Sequence, residues 1–154
     1  AREDASSKMR WGTGDAQVTQ VTTTNAAELP VDSIASGGEM KVVIELNSHV
    51  RLESPVVHVR LETMSGDTAW STSTRRGTAT LRVLDGPARA VLHLPSVPLA
   101  EGTYYLSVVI TDSTGTTEYD HCQHWAKLRV TDGSPNDGGV VAMASNWSIG
   151  RQRT

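Results

Sequence analysis

The side chains best equipped for chemistry are concentrated in residues 99 to 132, LAEGTYYLSVVITDSTGTTEYDHCQHWAKLRVTD, which hold all three tyrosines, Trp125, two histidines and the single cysteine. Nucleophilic catalysis finds no support there or elsewhere. The chain has no Gly-x-Ser-x-Gly elbow, and no histidine sits in a glycine-rich setting. The carboxylates fall mostly in turns, where Asp is first of all a turn former, and no two stand out as a glycosidase pair. Gly37-Gly38 and Gly138-Gly139 lack the Lys-Ser/Thr partner of a phosphate loop. The chain is expected not to be an enzyme and to need no cofactor.

Metal binding has one candidate segment, Asp120-His121-Cys122-Gln123-His124. On a strand, His121 and His124 have opposite parity and face opposite ways. No second Cys or His cluster completes a four-ligand set. The expectation is one exposed histidine, one partly buried histidine and a buried thiol, with no metal.

The elements that position these residues are read from alternation. Leu106, Val108 and Ile110 alternate with Tyr105, Ser107 and Val109, as on a strand with one buried face. Ser113-Thr114-Gly115 turns the chain, and the return strand ends with Leu128 and Val130 on one parity, Lys127 and Arg129 on the other. Upstream, Met40, Val42, Ile44 and Leu46 alternate with Lys41, Val43 and Glu45, and Val57, Val59 and Leu61 alternate with His58, Arg60 and Glu62. Thr and Val dominate 16–24, a short strand surrounds Trp70, and 79–84 and 88–94 read as two strands split by Asp85-Gly86-Pro87. Residues 25–38 read as loop, and 140–147 as one more strand. No stretch sustains helical periodicity. Eight or nine short strands with turns between them predict an all-β chain, an immunoglobulin-like antiparallel β-sandwich. Tyr104, following Glu101-Gly102, resembles the tyrosine corner of such sandwiches, with its ring inward and its hydroxyl on corner backbone.

In that architecture strand 55–63 lies beside 103–111, which pairs with 118–131. The outward parities gather His58, Arg60, Glu62, Tyr105, Ser107, Val109, Tyr119, His121, Gln123 and Trp125 on one surface. Aromatic faces beside hydrogen-bonding groups suit a sugar: a pyranose stacks its C–H face on a ring and its hydroxyls take directional bonds. The candidate carbohydrate-binding residues are His58, Arg60, Glu62, Tyr105, Ser107, His121, Gln123 and Trp125. The row requires one unbulged register between Tyr119 and Val130. A bulge near Cys122 turns Trp125 into the core instead.

Composition sets the outer limits. The 154 residues make one domain with enough chain for a core, and a net charge of −3 leaves no electrostatic footprint for nucleic acid. No apolar run approaches the roughly 20 residues of a spanning helix. The first ten residues are polar, not a signal peptide, and an opening Ala1 fits a piece of something longer. A lone Cys122 rules out an intrachain disulfide and leans towards a reducing compartment.

Three segments in order resemble a known family: Arg10-Trp11-Gly12-Thr13-Gly14-Asp15-Ala16-Gln17-Val18, Ser36-Gly37-Gly38-Glu39-Met40-Lys41-Val42, and Leu99-Ala100-Glu101-Gly102-Thr103-Tyr104-Tyr105-Leu106-Ser107-Val108. They are similar to the C-terminal domain of Wzt-type ATPases, the nucleotide-binding subunits of ABC transporters that export O-antigen and related polysaccharides. The resemblance implies a non-catalytic, cytoplasmic module that binds the non-reducing end of a lipid-linked (undecaprenyl-type) glycan before export. It implies that ATP hydrolysis belongs to a domain outside this chain. It also implies a homodimer whose last strand crosses to the partner, and contact with the transporter's membrane subunit through the full-length protein, peripheral to the inner face of the plasma membrane. The chain then divides into a linker (1–13) from an upstream ATPase domain, the sandwich (14–132), a hinge (133–139), a C-terminal strand (140–149) that is either exchanged or an intrachain edge, and a tail (150–154). An immunoglobulin-like adhesion or spacer module with no small ligand is the competing reading.

Overall fold

The computed structural model describes residues 8–76, 81–133, 138–145 and 147–150. In chain order the strands are β1 (Met9–Trp11), β2 (Ala16–Thr24), β3 (Ser33–Ala35), β4 (Met40–Glu53), β5 (Val56–Thr63), β6 (Thr68–Ser73), β7 (Val83–Leu94), β8 (Gly102–Thr111) and β9 (Glu118–Thr131), with a 3-10 turn over Thr74–Arg76 after β6. One sheet runs β1-β9-β8-β5-β6, with β3 parallel to the far end of β9; the other runs β2-β4-β7. All other pairings are antiparallel. This is the immunoglobulin-like sandwich that the alternation predicts.

The inward parities do what the pattern requires. Met40, Val42, Ile44 and Leu46 of β4 face Val57, Val59 and Leu61 of β5 and Leu106, Val108 and Ile110 of β8 in one continuous core, joined by Leu128 and Val130. Each fully buried Leu, Ile or Val contributes about 1.5–3 kcal/mol relative to exposure, so the sheets are held mainly by this layer. Tyr104 is buried and donates its hydroxyl to the Ala100 carbonyl at 2.7 Å, the corner bond expected of it.

Four local expectations are corrected. The stretch 1–13 was expected as linker, yet Met9–Trp11 pairs with Gln123, Cys122 and His121. The loop expected over 25–38 contains β3, whose Ile34 enters the core. Asp85-Gly86-Pro87 does not split two strands: β7 runs through it, because Gly86 takes a φ of 86° and its N–H donates to Ser48 Oγ across a bulge in β4; residues 79 and 80 of the expected first strand lie outside the described residues. At the C-terminal end, the expected strand over 140–149 makes a single bridge, Leu99 to Val141, among the described residues. There Ala100 N–H donates to Val140 O and Ala142 N–H to Pro98 O, so the run meets loop backbone and not a sheet edge.

Candidate functional site

The outer face of the larger sheet is shaped by a break in the β8–β9 ladder. Leu106 pairs with Ala126 and Val108 with Cys122, so two steps along β8 match four along β9. The surplus residues are accommodated around His124, which sits at a φ of 51°, a region that non-glycine residues enter at a cost of about 1–3 kcal/mol. Ser107 stabilises the bulge by accepting the His124 N–H on its hydroxyl at 2.9 Å.

A bulge re-aims side chains, and this one exchanges two. His124, of inward parity, is brought to the outer face, where its ring lies 5.1 Å from that of Tyr105 and its Nε2 lies 3.7 Å from Glu62 Oε2. Trp125 goes the other way. It packs against the core, with the Lys8 ammonium 5.0 Å and the Arg10 guanidinium 5.2 Å from its ring centre. Trp125 therefore does not share the face of the other candidates, and the unbulged register that would have placed it there does not exist.

The remaining candidates separate into a buried centre and an accessible flank. At the centre, Glu62 faces Tyr105 and Arg60 faces Ser107 across β5 and β8. Glu62, Tyr105, Ser107 and Val109 are buried, and Ser107 hydrogen-bonds the Glu62 carboxylate. Together with His124 they form a packed polar cluster. Ser107 does not hydrogen-bond the imidazole, so no nucleophile–base pair forms. Among the described residues, neither ring nitrogen of buried His124 has a hydrogen-bond partner. Next to the cluster, Arg60 is half-buried and His58 donates or accepts a 2.9 Å bond with Thr111 Oγ1. Burial first, then Arg75 and Arg60, hold the His58 imidazolium below its ordinary range.

The accessible flank is where β1 lies on β9. Met9 pairs with Gln123 and Trp11 with His121, so all four share the outer face. Trp11 stacks on His121 at 4.0 Å between ring centres and 24° between planes, while Glu118 contacts His121 Nδ1. Met9 remains 50% exposed and Trp11 43% exposed. Trp11, Met9 and His124 were not among the candidate carbohydrate-binding residues. For the first two, Met9-Arg10-Trp11 is a three-residue step in a polar stretch, too short to mark a strand.

On the inner side of the same edge, Asp120 is 3% exposed and accepts from Arg10 Nε (3.0 Å), Arg10 Nη2 (2.6 Å) and the Val18 N–H (2.8 Å). The Cys122 thiol is buried beside it and is pushed up to about 12, chiefly by desolvation. At the opposite flank, a cleft of about 610 Å³ opens between β5–β6 and β7 over Ile44, Leu46, Val57 and Val59, rimmed by Arg76 and Arg89.

The fold is thus a two-sheet sandwich with an exposed Trp11 stacked on a largely covered His121 on one sheet, beside a buried polar cluster. The model of the Wzt C-terminal domain matches residues 7–143, and the chain belongs to that family, a family of non-catalytic domains. A crystal structure of the C-terminal domain of wzt superposes with a TM-score of 0.78 at 21% identity, covering 92% of this chain and 88% of that one. The CARDB domain of the PF1109 protein from Pyrococcus furiosus, solved in complex with di-metal ions, is far more distant. It has a TM-score of 0.42 and 13% identity, covering 76% of this chain and 94% of that one. A comparison with curated proteins found no match.

Proposed function

We propose that this domain recognises a glycan for a polysaccharide ABC exporter, binding the non-reducing end of the lipid-linked chain on the outer face of the larger sheet. The observation that carries the reading is the exposed Trp11 ring stacked on His121. A ring presented at the surface, with Met9 and Gln123 beside it, can take the C–H face of a pyranose while Arg60 and His58 lie further along the same face. The family match supports the transporter context and a cytoplasmic site of action, with ATP hydrolysis assigned to a separate domain and the membrane subunit as partner. Among the described residues no helix is long and apolar enough to cross a membrane.

The dimer belongs to the same proposal. Met143, Trp147 and Ile149 are exposed apolar side chains of one parity, Trp147 at 91%, and exchange of this run with a second copy would cover them. In this reading the sandwich begins with β1; of the expected hinge (133–139), 134–137 lie outside the described residues, as do 151–154 of the expected tail (150–154).

Binding to an immobilised glycan panel tests the first part. A ligand is expected, and Trp11→Ala should weaken it by about 1–2 kcal/mol, the loss of a stacking anchor. A silent panel would support the spacer reading. Light scattering tests the second part: a chain ending at Asp132 should be monomeric, and an unchanged dimer would rule out strand exchange as its main support.

A further inference from the structure

The exposed ring that the glycan reading depends on does not belong to the body of the sheet. It is carried by β1, three residues long and exposed along its whole length. So short a strand with no buried apolar side chain gains little from desolvation. Its hold comes from a small set of directional contacts. Arg10 reaches inward and bridges the two sheets, bonding both Asp120 oxygens and the Val18 carbonyl at 2.8 Å. Trp11 stacks on His121 outside, while Arg10 lies over Trp125 inside. Beyond β1, the Thr13 and Gly14 N–H groups donate to Glu118 O and Tyr119 O before the chain crosses to β2 in the other sheet. Gly12 makes that crossing against β9: at a φ of 141°, a Cβ there would lie 2.5 Å from Tyr119 O.

We propose that β1 is a detachable strap whose docking, positioned by Arg10 and Asp120, assembles the sugar-stacking platform, so that glycan occupancy and strap docking form one linked equilibrium. The inference rests on the glycan reading above. Segments held by few buried apolar contacts open locally, without global unfolding. A ligand seated on Trp11 engages only the docked state, and a ligand that binds one of two states shifts the population towards it. Reciprocity then requires that whatever moves the chain leading into Lys8 changes the affinity for the glycan, and that the glycan resists that movement equally. Arg10 and Asp120 act here as positioning residues, because neither is part of the stacked pair that meets the sugar.

Amide exchange on the unmodified chain tests this, with the tightest-binding oligosaccharide of the panel as probe. Without the probe, the Thr13 and Gly14 amides and those of β1 should exchange faster than the core amides of β4 and β8. With the probe at 100 times its Kd, their exchange should slow about 100-fold, since opening must now compete with binding. Equal exchange in β1 and the core, or no slowing at saturation, overturns the strap. A second arm separates positioning from general stability. Arg10→Met should raise the probe's Kd at least about tenfold. Arg10→Lys, which keeps a cation for Asp120 and leaves the platform residues untouched, should lose less affinity than Arg10→Met. Unchanged affinity in Arg10→Met, or equal losses in Arg10→Met and Arg10→Lys, refutes the assignment. A panel on which nothing binds removes the glycan reading and the strap together, whereas binding with unlinked β1 exchange removes the strap alone.

Discussion

Replacing Asp120 with alanine removes the acceptor that three donors share. In the native fold its carboxylate takes two bonds from Arg10 and one from the Val18 N–H, and it is almost wholly out of water. Deleting one member of a buried ion pair typically costs about 3–5 kcal/mol, because the other charge stays where it is. Here Arg10 is about a third exposed (35%), so water recovers part of its solvation and the lower end, about 3 kcal/mol, applies to the pair. The Val18 N–H, left without an acceptor at a bulge in β2, adds about 1 kcal/mol or more. The expected total is about 3–5 kcal/mol. For a chain of this length each kcal/mol shifts Tm by about 2–4 °C, which gives a fall of about 6–20 °C. Urea unfolding at fixed pH is the assay, with an unchanged slope and a lowered midpoint. A double-mutant cycle with Arg10→Met should return a coupling of at least about 1 kcal/mol, since in the double variant no charge is stranded. A loss below about 1 kcal/mol, or additivity of the two substitutions, would show that the pair does not clamp the sheets as the geometry indicates.

Gly12→Ala forces backbone against the Tyr119 carbonyl and should destabilise by about 1–3 kcal/mol, with the exchange increase concentrated at β1 in a hydrogen–deuterium map; uniform protection would argue against the close crossing. Cys122 should resist a thiol reagent at pH 8 until urea is added, and stability should fall as pH rises above about 9. The sign follows because the unfolded thiol ionises near its ordinary value while the folded one keeps its proton to about 12, so the folded state binds more protons in that window. His58 has the reverse dependence. Its folded imidazole holds a proton less readily than the unfolded one, so its contribution is complete above about pH 6.5 and is lost on acidification, and His58→Gln should flatten that part of a stability–pH curve. Tyr104→Phe leaves the Ala100 carbonyl without its donor and should cost about 1–2 kcal/mol by calorimetry; a neutral result would mean water replaces the hydroxyl.

Local pattern by itself determined the framework. Period-two alternation in β4, β5 and β8 specified which side chains face the core, because a one-residue slip would expose the whole apolar set. That rule, with Tyr104 at the corner, was sufficient for the sandwich and for the β5–β8–β9 order. Three features were decided only by the tertiary fold. β1 is too short to show a period, and what holds it, Arg10 on Asp120, joins residues 110 positions apart. β7 runs through Asp85-Gly86-Pro87 because Ser48 on its neighbour receives the Gly86 N–H, a bond no local signal announces. The bulge at His124 carries no glycine to mark it; a histidine takes the positive φ because Ser107, across the ladder, binds its N–H. That irregularity packs Trp125 against the core and leaves Trp11 as the face's exposed aromatic among the described residues; a second shift, between Ile110 and Thr111, lies where Tyr119 also packs against the core. Parity propagates along a strand only as far as its hydrogen-bond ladder is regular, and regularity is a property of the partner strand as much as of the strand itself.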